Sequence, residues 1–223
     1  MSQLEKNTVK AEHQLPESQY VSFPTPQTSG VRILFAGNSI TRHGVLPSIG
    51  WYHDFGMAAS AEENDYVHLL MKKWRERNVD FFLAVKQAAA WEVQVNEGRA
   101  EEENFEDLAC FKPGFIIFRL AENVSTEIDG EYFLNALDDL IKKLNKGNGE
   151  VIYTTSFWKN KTVSDAIRKK AGEGRLVELE DLGEDASMKA YGKFEHSGIC
   201  AHPGDKGMAA IADRIDGALQ RWF

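Results

Sequence analysis

Three short stretches of this chain carry residues that can perform acyl transfer together. Gly37-Asn38-Ser39 closes one apolar run and Glu122-Asn123 follows another. His202-Pro203 stands before a final amphipathic segment. A serine hydroxyl is a weak nucleophile at neutral pH. It needs a base within hydrogen-bond reach and donors that hold the oxyanion formed on attack. Ser39 and His202 supply the nucleophile and the base, and the side-chain amide of Asn123 offers a donor. The backbone N–H of Ser39, at a chain reversal after a strand, offers another. Taken singly, Ser39 and Asn123 suit turns or caps, and His202 suits a helix start. Their order along one chain gives them weight.

The elements that must position these residues follow from periodicity. Val31 to Ala36, Phe81 to Val85, Phe115 to Leu120, Val151 to Tyr153 and Leu176 to Leu179 are short apolar runs suited to buried strands. Helical patterns alternate with them. Val67, Leu70, Met71 and Trp74 share one face, as do Leu134, Leu137, Ile141 and Leu144. Met208, Ile211, Ile215 and Leu219 form a third apolar face. Ser60-Ala61-Glu62-Glu63 predicts a capping box at the first helix. The alternation predicts a three-layer α/β/α domain, a flavodoxin-like doubly wound parallel sheet of about five strands. Ligands of such sheets bind beyond the carboxyl ends of the strands. Ser39, Ala90, Asn123 and His202 all lie past strand ends or in a late loop, so they are expected on one rim.

The same stretches resemble the sequence blocks of the SGNH, or GDSL-like, esterases and acylhydrolases. Gly37-Asn38-Ser39 stands where that family usually has Gly-Asp-Ser. Arg119-Leu120-Ala121-Glu122-Asn123 stands where it usually ends in Gly-x-Asn-Asp. Ile199-Cys200-Ala201-His202-Pro203 stands in the place of Asp-x-x-His-Pro, and Gly204-Asp205-Lys206-Gly207-Met208 follows. The resemblance covers Val31 to the C-terminus. It implies Ser39 as nucleophile, His202 as base, and Asn123 with the N–H groups of Ser39 and Ala90 as the oxyanion hole. Spacing puts the second block at Ala90 or Trp91, where the family normally has glycine. Ile199 replaces the aspartate that normally orients the histidine. The histidine is then expected either to rest on a backbone carbonyl near Ile199 or to use another acid. Glu122 is the foremost candidate, beside Glu195 and Asp205.

The bulk composition narrows the field further. The chain has 223 residues, 43% hydrophobic and 27% charged, enough for one sizeable domain. Its net charge of -8 disfavours nucleic acid, whose phosphates are read by Lys and Arg. Cys110 and Cys200 are the only cysteines and show no zinc spacing, so no metal or cofactor is expected. No apolar run suits a signal peptide or a membrane span, which points to a cytoplasmic protein without membrane attachment. Residues 1–29 read as an extended arm that wraps the domain or pairs with a second subunit in a homodimer, and 30–223 as the single domain. Glu101-Glu102-Glu103 suits a solvated helix. His43 and His53 in the long loop after the first strand suit packing roles or a pocket lining. Trp51, Trp91 and Trp158, in loops past strand ends, could stack on a sugar. The expected activity is hydrolysis of a small ester, foremost an acetyl ester on a carbohydrate. A flavodoxin-like phosphate- or cofactor-binding domain and an inactive glycan-binding relative are the alternatives.

Overall fold

The computed structural model describes Val21–Ser22, residues 30–100, Phe105, Leu108 and residues 111–223. Among these residues six strands form one sheet: β1 (Val21–Ser22), β2 (Val31–Gly37), β3 (Phe81–Gln87), β4 (Phe115–Arg119), β5 (Glu150–Thr154) and β6 (Leu176–Val177). Their spatial order is β1-β3-β2-β4-β5-β6. The last five are parallel to their neighbours, in the doubly wound order expected from the sequence. β1 adds an antiparallel edge, pairing Val21 with Lys86 and Ser22 with Val85. That pairing places part of the predicted arm against its own domain.

Among the described residues, seven α-helices cover the sheet: α1 (Tyr66–Glu76), α2 (Ala89–Asn96), α3 (Gly130–Leu144), α4 (Lys161–Ala171), α5 (Glu180–Glu184), α6 (Ser197–Cys200) and α7 (Asp205–Leu219). Every residue of β3 and β4 is buried, because both faces of the sheet are covered. The twofold alternation of a strand divides the core. Leu34, Ala36, Ile116 and Phe118 pack beneath α2, α3 and α4 with Trp91, Phe133 and Ile167. Ile33, Phe35, Leu83 and Ile117 pack on the other face with Trp74, Ile211 and Ile215 of α1 and α7.

Several local expectations change. Ser60 does not cap the first helix. Asp65 does, accepting from the His68 N–H, while Glu62–Asn64 form a 3-10 turn before it. The Ser60 hydroxyl instead donates to Asp205 at the start of α7. On α3 the buried face is Phe133, Ala136, Leu137, Leu140 and Leu144, with Leu134 and Ile141 at its margin. The loop after β2 is built rather than irregular. A 3-10 turn spans Pro47–Ile49, and bridges join His43 to Phe55 and Leu46 to Trp51. Glu101, Glu102, Glu103 and Cys110 lie outside the described residues.

Candidate active site

Ser39 sits where β2 ends and the chain turns back. A Cβ at Gly37 would collide with the Thr41 side chain, so the close approach inside this turn requires glycine. The Asn38 carbonyl accepts from Thr41 and Arg42, and the Ser39 carbonyl accepts from Met57. These bonds fix the reversal and leave the Ser39 side chain half-buried at the sheet's carboxyl edge.

His202 arrives from the far end of the chain. Its Nε2 lies 2.8 Å from Ser39 Oγ, and its Nδ1 lies 2.7 Å from the carbonyl oxygen of Gly198. A carbonyl can only accept, so Nδ1 carries the proton in the neutral ring. Nε2 is then the bare nitrogen that accepts from the serine hydroxyl. The geometry has a simple origin. α6 is one turn long, and the Gly198 carbonyl near its end takes the imidazole N–H as its donor. Burial pushes the His202 pKa down to about 4; the Gly198 carbonyl opposes the shift, while His43 adds to it. The ring of Trp158 meets the imidazole edge-on at 4.9 Å, and its indole N–H is tied to the Ala201 carbonyl.

No carboxylate hydrogen-bonds His202 among the described residues. Glu122, the foremost candidate for that place, is engaged elsewhere. Its carboxylate pairs with the buried Arg119 and accepts from the Phe157 N–H and the Asn38 amide. Asp205 is likewise occupied by Ser60. Ile199, in the usual aspartate position, turns into an apolar cluster with Trp51, Met57, Ala58 and Ala190. The backbone carbonyl of Gly198 therefore holds the place of the missing acid.

A fully buried carboxylate to which the sequence reading gives no role in the site organises its other half. Glu92 of α2 accepts from the Asn38 side chain at 3.1 Å, the Asn123 side chain at 2.6 Å and the Ala121 N–H at 2.5 Å. The Asn123 N–H adds a longer contact at 3.3 Å. All its partners are N–H donors, a set that suits an ionised acceptor. Burial, and next the charge of Glu122, nevertheless raise its pKa to about 7. The Asn38 amide thus lies between two carboxylates. An aspartate there would set a third negative charge against them and remove their shared donor, which explains asparagine in Gly37-Asn38-Ser39. Ala121, where the resembling family has glycine, holds φ at 110° to present its N–H to Glu92. The sequence signal for Glu92 was a lone acid in the apolar run Ala88-Ala89-Ala90-Trp91.

The structure brings Ser39 and His202 into contact, and Glu92 links Asn38, beside Ser39, to Asn123. One Asn123 amide hydrogen serves Glu92, and the second is uncommitted among the described residues. Ala90 lies in the first turn of α2, where N–H groups lack intrahelical acceptors. The N–H of the preceding Ala88 is tied to the Gly37 carbonyl. Trp51 and Trp91 are buried in packing clusters, so neither stacks on a sugar; Trp158 alone of the three is partly exposed. His43 bonds the Gly44 carbonyl and its pKa is lowered by burial, while His53 stacks on Phe55.

No protein-family model matches the sequence, and no curated protein matches it significantly. Solved structures do. The psychrotrophic esterase EstA from Pseudoalteromonas sp. aligns over 86% of this chain and 97% of its own, with a TM-score of 0.55 at 14% identity. A two-domain esterase active on acetylated mannans aligns over 86% of this chain and 49% of its own, with a TM-score of 0.54 at 20% identity. The acetyl xylan esterase AlAXEase aligns over 85% of this chain and all of its own, with a TM-score of 0.51 at 17% identity. At such identities the likeness is one of architecture: this chain shares the three-layer α/β/α fold of these esterases.

Proposed function

We propose that the protein is a serine esterase that hydrolyses a small ester, foremost an acetyl ester on a carbohydrate, through a Ser39–His202 dyad. The observation that carries this reading is the pair of contacts on one imidazole: Ser39 Oγ on Nε2 and the Gly198 carbonyl on Nδ1. Ser39 Oγ attacks the ester carbonyl as its proton passes to His202 Nε2. The carbonyl oxygen becomes an oxyanion held by the N–H groups of Ser39 and Ala90 and by the Asn123 amide. The C–O bond to the alcohol breaks, and the imidazolium returns the proton to the leaving oxygen. Water, deprotonated by the same nitrogen, then attacks the acyl-serine and releases the acid.

The acetylated-carbohydrate preference is supported by neighbours described as acting on acetylated mannans and as an acetyl xylan esterase. Trp158, partly exposed beside the dyad, offers an aromatic face at the site. The test is hydrolysis of p-nitrophenyl acetate and of acetylated xylan by wild type, Ser39→Ala and His202→Ala. Each substitution is expected to cost about a thousandfold or more in kcat. Equal rates in all three proteins remove these residues from the chemistry. Labelling of Ser39 by a fluorophosphonate separates a live enzyme from a glycan-binding relative without activity.

A further inference from the structure

A cavity of about 490 Å³ flanks the dyad. Its lining includes Ala58, Ser60, Lys189, Lys193, Asp205 and Lys206. Ser39 and His202 do not line it, yet both are tied to its walls. Met57, next to Ala58, donates its N–H to the Ser39 carbonyl at 2.9 Å. Ala190, next to Lys189, donates its N–H to the His202 carbonyl at 2.9 Å. The two main-chain bonds that seat the dyad therefore also set the cavity beside it.

The charge here opposes that of the whole molecule. The chain carries 34 acidic against 26 basic residues, but three ammonium groups share this lining with one carboxylate. That carboxylate, Asp205, is already met by the Ser60 N–H at 2.8 Å and the Ser60 hydroxyl at 2.6 Å. Lys206 donates to the Ser187 hydroxyl at 2.6 Å and feels the nearby Asp185. Lys189 lies 5.6 Å from the centre of the Tyr191 ring. Neither Lys189 nor Lys193 forms an ion pair with a carboxylate among the described residues. A concave surface with uncompensated cations attracts an anion, and the volume suits a group the size of a sugar ring.

We propose that this cavity is an anion subsite that takes the carboxylate of an acidic sugar, on the same glycan whose ester Ser39 attacks. The substrate class rests on the esterase reading above; binding of the acidic sugar does not. Lys189 and Lys193 supply the attraction, while Asp205, the one carboxylate of the lining, has both oxygens engaged by Ser60. An acetylated, uronate-bearing oligosaccharide is the substrate that uses both features.

The test is calorimetric titration of the intact protein with trigalacturonate, xylotriose and inorganic phosphate. A parallel titration uses the Lys189→Glu/Lys193→Glu double variant. Trigalacturonate is expected to bind at least about fivefold more weakly to the variant than to wild type, and its affinity should fall with added salt. Xylotriose should bind wild type more weakly than trigalacturonate does. Trigalacturonate affinity that is absent, or the same in both proteins, overturns the proposal. Binding of phosphate without trigalacturonate overturns the acidic-sugar assignment. In the activity arm, wild type should prefer acetylated oligogalacturonate to acetylated xylo-oligosaccharide, and the variant should lose that preference while hydrolysing p-nitrophenyl acetate as before. If no protein hydrolyses p-nitrophenyl acetate, the esterase reading fails while the titration still decides the subsite.

Discussion

Ser39 Oγ and His202 Nε2 meet at 2.8 Å, but different forces hold the two residues. Beneath Ser39, side chains do the holding: Asn38 spans the Glu92 and Glu122 carboxylates, and Glu122 pairs with Arg119. Around His202, main chain does it: the Gly198 carbonyl holds one nitrogen and the Trp158 ring leans on the edge. A buried network of charges is fragile to any single substitution, because each lost partner leaves another charge or donor unmatched. A backbone carbonyl has no side chain to lose, so it persists as long as the turn that carries it. The Ser39 side is thus the half that mutation can break, and the His202 side is the half that packing protects.

The largest expected effect on this contrast is at Glu92. Glu92→Gln keeps the shape but turns an NH2 group toward N–H donors, so one of the two oxygens that the Asn38 and Asn123 loops share is lost. We expect kcat to fall about 10- to 100-fold, with the KM for p-nitrophenyl acetate little changed and folding retained by circular dichroism. An unchanged kcat would show that the network carries no catalytic positioning.

Next comes the attempt to restore a conventional triad. Ile199→Asp places a carboxylate among Trp51, Met57, Ala58 and Ala190, not on the imidazole. It should cost about 3 kcal/mol or more in urea unfolding and give no gain in rate. A faster enzyme would mean that the turn can rearrange to bring the acid to His202.

The pH dependence separates the halves directly. In the proposed mechanism His202 works only as the neutral base and the Glu92 donor set fits only the ionised acid, so both demand deprotonation and the rate is expected to rise with pH. The kcat/KM profile should fall steeply as pH drops through about 4 for His202, with a shallower step near 7 for Glu92. Glu92→Gln should erase the upper step and leave the lower. A single limb near 6.5 would mean that His202 is not desolvated as described. The smallest effect belongs to Trp158→Phe. It loses the bond to the Ala201 carbonyl but keeps an aromatic edge, so a change of about two- to fivefold in kcat is expected.

The sequence made the sheet legible because its strands are buried on both faces and stand out as apolar runs such as Phe115 to Arg119. The meeting of Ser39 and His202 was legible because each stands in a recognisable block. Gly198 was not, since a carbonyl acceptor leaves no mark in residue type; only the loss of an acid at Ile199 hinted at it. Glu92 stayed hidden because its partners come from two distant segments, around Asn38 and around Ala121 to Asn123, and an acid on a helix ordinarily faces water. Trp51 and Trp91 looked available for a sugar because they follow strand ends, yet the loops fold back and bury them.

The short antiparallel strand β1 carries a consequence for assembly. Beside it, β3 is an apolar strand whose outer edge could template pairing with a second chain. Val21 and Ser22 occupy that edge at Val85 and Lys86, close to where β3 leads into α2. They act as a seal against sheet growth. A protein trimmed to begin at Val31 would expose this edge, and light scattering should report aggregation that the full chain resists.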